Sequence, residues 1–322
     1  MQKLISLVWN REERRARALL RLLFHYILIL ATSQLALLII QALSPDMESW
    51  YSRLSSPQWV LTSFFLAMLT VGATYFCGRF LDKRKFADFG LMLNHRWWRD
   101  CLFGVVLAFL QIGMIFLVEL LLGWVKVESY FTMTGTTGNS WFSIITTALL
   151  SLSMLIFSGI KEEIITRAYQ LKNLIEGCGA AGKTGSILIA MFLSASYFGA
   201  QHLINPSASI MSTVNLTLAG IMYAYAFVLT GRLALPLGLH ISWNFCEGVV
   251  FGYAVSGYNL SPQILSTSVS GPEIFTGGSF GPEAGLLRIP AMLICALLIT
   301  AWVKFNTGEV KLERDLTKPD EL

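Results

Sequence analysis

Charge is what this chain has least of. Only 14% of its 322 residues are Asp, Glu, Lys or Arg, against 54% that are hydrophobic, whereas soluble domains carry about 25% charged residues. An ordinary soluble domain is therefore excluded, and a mean hydropathy of +0.59 points to a chain that lives in lipid. Cysteine builds no scaffold here: Cys77, Cys101, Cys178, Cys246 and Cys295 are scattered, odd in number and never spaced C-x-x-C. That pattern implies neither a disulfide framework nor a thiolate metal site. Nor is there a basic stripe interleaved with aromatics, as an RNA surface requires, so the net charge of +4 marks no nucleic-acid partner. No internal repeat is visible.

What the chain does have is a series of long apolar runs. A bilayer crossing takes about 20 residues, and runs of that order occupy 22–43, 60–80, 101–124, 143–166, 186–204, 211–231, 233–254 and 285–304. The fold class expected is all-α: one polytopic integral membrane domain over 1–322 with about eight transmembrane helices. The first run follows Arg11, Arg14, Arg15, Arg17 and Arg21 and exceeds a signal-peptide core of about 7–15 residues, so it reads as a retained helix. Running it outward puts 21 of the 24 Lys and Arg in cytoplasmic segments and leaves Arg53, Lys126 and Arg288 outside, as the positive-inside rule requires. Both termini are then cytoplasmic, in an integral protein that fits a bacterial plasma membrane.

The basic, aromatic connection from Arg79 to Asp100 suits the anionic cytoplasmic leaflet. Residues 306–322 form a charged cytoplasmic tail. The outer connection Ser256–Ala284 contains no Lys or Arg and is long for a compact protein, which reads as a lid or a flexible linker.

One motif misleads. GCGAAGKT, Gly177–Thr184, matches the phosphate-loop pattern letter for letter, but such a loop follows a β-strand at the edge of a soluble sheet. Here the flanks read as helices, so the stretch is a Gly-rich turn with glycine at a helix C-terminus, and no nucleotide partner is expected.

That turn makes the fourth and fifth spans an antiparallel hairpin. Glu162 lies 15 residues before Gly177 and His202 lies 17 after Gly185, so at about 1.5 Å per residue both stand level, roughly 22–26 Å from the turn. His240 and Asn244, four apart, share one helical face. His240 follows Arg232 by eight residues, about 12 Å of helix, so the hairpin tip must project roughly 10 Å into the cytosol for all these groups to meet.

Ionisable groups in a membrane are costly and are functional candidates by default. Glu163 and Arg167 form a favourable i, i+4 pair in a supporting role, and Lys161 reads as interfacial. Glu162 points away from Glu163 and is left for the site. Either histidine alone fits a packing residue. Together, Glu162, His202, His240 and Asn244 supply a base and neutral nitrogen or amide groups, the set needed to activate one water. Glu247 follows Asn244 by three and continues its face, either as support or as an acid lining the outer half of a cavity. His25 and His95 lack such company.

EEIITR at 162–167, FGAQH at 198–202 and HISWN at 240–244 resemble the E-E-x-x-x-R, F-x-x-x-H and H-x-x-x-N motifs of the CAAX-protease and bacteriocin-processing family of intramembrane endopeptidases, similar to the type II CAAX prenyl endopeptidase. The resemblance covers about residues 140–255, a family catalytic core. It implies that Glu162 activates the water attacking a peptide carbonyl and that His202 assists. It further implies that His240 and Asn244 stabilise the oxyanion or hold a metal, and that Phe198 packs beside His202.

The ligand set fits either a Zn²⁺ held by His202 and His240 with a carboxylate or a metal-free glutamate mechanism. Thr166 and Ala168 depart from the aromatic and glycine that many relatives carry around the motif arginine. The implied partners are the bilayer and a membrane-associated peptide or lipidated protein, cleaved in a hydrated cavity opening toward the cytoplasm. The alternative is a non-catalytic immunity or scaffold protein of the same family.

Overall fold

A computed structural model describes residues 8–10, 13–43, 56–133, 140–312 and 316. Lys3, Arg11, Arg53 and most of the 306–322 tail lie outside the described residues. The helices are α1 Ala18–Leu43, α2 Pro57–Cys77, α3 His95–Leu121, α4 Trp141–Glu163, α5 Leu171–Gly177, α6 Gly182–Gln201, α7 Ile210–Thr230, α8 Ala234–Phe245 and α9 Arg288–Thr307.

Their starts follow local chemistry. Ser56, Asn94, Ser140 and Ser209 each accept a backbone N–H in the first turn of α2, α3, α4 and α7, groups that otherwise lack an intrahelical partner. Gly231 ends α7 at φ 64°, a conformation that glycine takes without steric cost.

Seven helices among the described residues are long and apolar enough to cross a membrane. The seventh apolar run, expected over 233–254, differs. It forms α8 of 12 residues followed by a five-residue π turn, Cys246–Val250, and every residue from Ala234 to His240 is buried. It is a central helix jacketed by protein, and its apolar character reflects a core on all sides rather than contact with lipid.

Two glycine contacts seat it. A Cβ on Gly238 would lie 2.2 Å from the Cys101 carbonyl oxygen on α3, and one on Gly159 of α4 would lie 2.6 Å from Ile241 Cγ1. Small residues of this kind let membrane helices approach backbone to backbone.

The basic connections gather on one face. Leu233 N–H donates to the Gly90 carbonyl at 3.0 Å, and Lys172 Nζ donates to the Asp88 carbonyl. Arg15, Arg21 and Arg84 all pair with Glu176, while Arg21 also pairs with Asp82 at 2.6 Å. The continuous helical segment Trp141–Gly177 has 37 residues, about 55 Å by its rise, and hydrocarbon is about 30 Å thick. The segment is longer than the apolar layer, and its Lys172–Gly177 end lies among the basic connections. Between Gly177 and α6 there is only the short 3₁₀ turn Gly179–Ala181, with no strand before it, so the phosphate-loop match is a helix–helix turn.

On the opposite face, β1 Val125–Thr132 pairs antiparallel with β2 Gln263–Val269. The connection Ser256–Ala284 is thereby tied down rather than free. Gly257 N–H donates to the Phe280 carbonyl at 2.9 Å, and Asn205 Nδ2 donates to the Ser256 carbonyl at 3.2 Å.

Candidate active site

α4 ends at Glu163 and runs without a break into a π segment, Ile164–Gln170. A second π turn, Cys246–Val250, follows α8. Such turns recur at functional sites because they re-aim side chains within a helix, and here each begins within two residues of a polar group of the site.

A cavity of about 310 Å³ is lined by Ser158, Lys161, Glu162, Gln201, His202 and Asn244, with a wall of Trp59, Met154, Leu155, Asn205, Val255, Ser256, Tyr258 and Leu260. Three of the four side chains expected to act together, Glu162, His202 and Asn244, thus face one space. Ser158 Oγ donates to Glu162 Oε1 at 3.1 Å. Lys161 also lines the cavity.

The fourth, His240, is 4% exposed and sits behind Glu162, with Nε2 3.7 Å from Glu162 Oε2. Its Nδ1 is 2.8 Å from Glu163 Oε1, which as a carboxylate accepts, so Nδ1 carries the proton. Glu163 Oε1 also accepts from Arg167 Nη1 at 3.1 Å. The pair expected in a supporting role thus also holds the histidine.

His202 is held in the complementary way. Its Nδ1 lies 2.8 Å from the Phe198 carbonyl, an acceptor only, so Nδ1 donates and Nε2 keeps its lone pair.

Aromatic rings pack the buried groups. Phe198 lies 5.0 Å from His202 and 5.6 Å from His240 between centroids, and Tyr223 stacks on His240 at 5.2 Å. The Arg167 guanidinium lies over Phe198 at 4.4 Å and over Tyr223 at 5.2 Å. Thr166, one of the two departures from the motif, accepts from Arg167 Nη1 at 2.6 Å and donates to the Glu162 carbonyl at 2.5 Å.

Glu247 does not join them. It lies fully buried near Gly281, outside the cavity lining. His25 is buried too, bonded to Thr74 Oγ1 at 2.8 Å. The sequence offered no signal for Ser158, Gln201 or the wall from Val255 to Leu260.

Residues 144–246 match the family model described as type II CAAX prenyl endopeptidase Rce1-like. This core resembles the CAAX-protease family. The match spans α4 to α8, contains all three motifs, and supports a CAAX-protease kind of function for the Rce1-like core. No curated protein and no solved structure matches the chain.

Among the described residues no three His, Cys, Asp or Glu side chains are placed to hold a metal ion, so His202, His240 and a carboxylate are not assembled as a ligand set in this arrangement.

Proposed function

We propose that this protein is an intramembrane endopeptidase that hydrolyses a peptide bond of a membrane-associated substrate, a peptide or a lipidated protein, with water activated by Glu162. One observation carries the reading: Glu162, His202 and Asn244 face a single cavity, while His240 backs Glu162 at 3.7 Å.

A water between the Glu162 carboxylate and the His202 Nε2 lone pair has two acceptors for its two protons, which turns its oxygen toward an incoming carbonyl carbon. Glu162 takes one proton as the C–O bond forms. The Asn244 amide N–H donates to the developing oxyanion. As the C–N bond breaks, the protonated Glu162 returns its proton to the departing amine. His240, fixed by Glu163, keeps its Nε2 lone pair toward Glu162, where it favours the protonated acid formed during turnover.

The test pairs Glu162→Gln with His202→Ala. Each is expected to lower turnover by about 10²–10⁴-fold while leaving thermal unfolding in detergent unchanged. The peptides that accumulate in membranes carrying Glu162→Gln identify the substrate. Full activity in both variants sinks the peptidase and favours a scaffold. Metal dependence is read separately: loss of activity on chelation, restored by Zn²⁺, would overturn the metal-free account.

A further inference from the structure

We infer that the cavity is entered from the membrane face opposite the basic connections, not from the face those connections occupy. The inference deepens the peptidase reading by naming the side on which substrate is presented, and it rests on that reading only for the word substrate.

Each wall residue can be assigned to a side by its place along its helix. Trp59 is in the first turn of α2, which runs toward the basic connection at Lys83–Leu93. His202 and Asn205 belong to the turn joining α6 to α7, at the far end from Cys178. Val255, Ser256, Tyr258 and Leu260 belong to the α8–α9 connection, at the far end from Arg232. The basic connections contribute no residue to the lining.

Toward the basic face the path is filled. Every residue from Glu163 to Asn173 is buried, about 15 Å of helix without an exposed position. Ser194 Oγ closes α6 onto this segment by donating to the Thr166 carbonyl at 2.8 Å. A packed protein interior of this kind admits no file of water, and hydrolysis needs one. On the opposite side Asn205, Ser256 and Tyr258 are partly exposed, and their neighbours Leu203, Ile204 and Asn259 are exposed.

Lys and Arg mark the cytoplasmic side of a membrane protein. The site then faces the extracytoplasmic side, and its substrates are peptide segments presented at the outer leaflet. The opening expected from the sequence was cytoplasmic, but the depth of His240, eight residues from Arg232, does not show which end of the cavity is plugged.

Cysteine accessibility tests this in intact expressing cells, with a membrane-impermeant maleimide and peptide-resolved mass spectrometry. The natural Cys178, at the hairpin tip on the basic face, serves as internal reporter. Tyr258→Cys reads the rim and Ser158→Cys the interior. Both introduced thiols are expected to react in intact cells as they do after permeabilisation, and Cys178 only after it. Should Tyr258→Cys fail to fold, Asn259→Cys reads the same rim.

Modification of Ser158→Cys only after permeabilisation, or in neither state, overturns the inference, as does a rim that reacts only together with Cys178. The labelling pattern does not depend on catalysis. An inactive protein with the expected pattern would refute the peptidase and leave the side of access standing.

Discussion

Glu163 Oε1 receives His240 Nδ1 at 2.8 Å and Arg167 Nη1 at 3.1 Å, so one buried carboxylate oxygen joins the histidine of α8 to the arginine of the π segment. Its neighbour Glu162 meets the other nitrogen of the same imidazole at 3.7 Å. Adjacent residues on one helix thus address opposite edges of one ring, one from the interior and one from the cavity. The second glutamate of the motif fixes the tautomer of His240, and a neutral Nδ1–H imidazole presents a lone pair to Glu162.

Glu163→Gln keeps the shape and removes the charge. The amide can flip and donate to Nδ1, inverting the tautomer, and Arg167 loses its anionic partner. Turnover is expected to fall by on the order of 10²-fold or more, with a lowered unfolding temperature because the guanidinium is left unpaired in the interior. Glu162→Gln is expected to lose activity without that drop, so comparing thermal unfolding of the two variants separates the roles. Equal unfolding temperatures would refute the division.

Arg167→Lys retains charge and loses the fork. The guanidinium lies over Phe198 and also donates to the Gly220 carbonyl at 3.3 Å, and a lysine ammonium cannot hold these contacts together. A stability loss of about 1–2 kcal/mol is expected from the stacking alone, measured by denaturation in mixed micelles. Phe198 also contacts both histidines, so turnover should fall together with stability. A variant as stable and active as the parent would show the stacking to be incidental.

The sequence made much of this legible, for identifiable reasons. Three motifs on the fourth, fifth and seventh apolar runs indicate which side chains meet, because helix rise is constant and a short turn forces antiparallel arms level. The Glu163–His240 bond was hidden, since it joins α4 to α8 and no spacing within either helix announces it. Glu247 lies outside the cavity lining, a placement that its i, i+3 spacing from Asn244 did not announce. The central position of α8 was also hidden, because a helix jacketed by protein and one facing lipid read alike in hydropathy. The wall from Val255 to Leu260 lies in a connection whose strand pairing with Val125–Thr132 is long-range.

Gly238→Ala tests whether helix approach sets the site. The added methyl would lie 2.2 Å from a backbone carbonyl on α3, which cannot rotate away, so α8 must move. His240 is two residues along. Overpacking of this kind costs about 1–3 kcal/mol, and the displaced imidazole should lose its Glu163 bond. Turnover is expected to fall more than the stability loss alone accounts for. Ala on the exposed glycine Gly179, where an added Cβ meets nothing within 4 Å, is the control, and equal effects in both would refute the argument.

Glu176 is the counter-charge for Arg15, Arg21 and Arg84, at the point where α1, the connection after α2 and the end of α5 converge. These arginines are 2% or less exposed, whereas Glu176 is 18% exposed. Glu176→Gln leaves three buried cations with Asp82 and the partly exposed Glu13 as remaining anions. Breaking a buried pair on one side costs on the order of 3 kcal/mol, because the partner is stranded rather than because the pair was strong. The α1 contact should loosen first, read as faster proteolysis near Arg17 from the basic face, while the cavity, about 20 Å of helix away, should keep its turnover. Loss of activity in step with proteolysis would mean that the ionic cluster and the site form one cooperative unit. Unchanged proteolysis would mean that α1 is held by its apolar contacts instead.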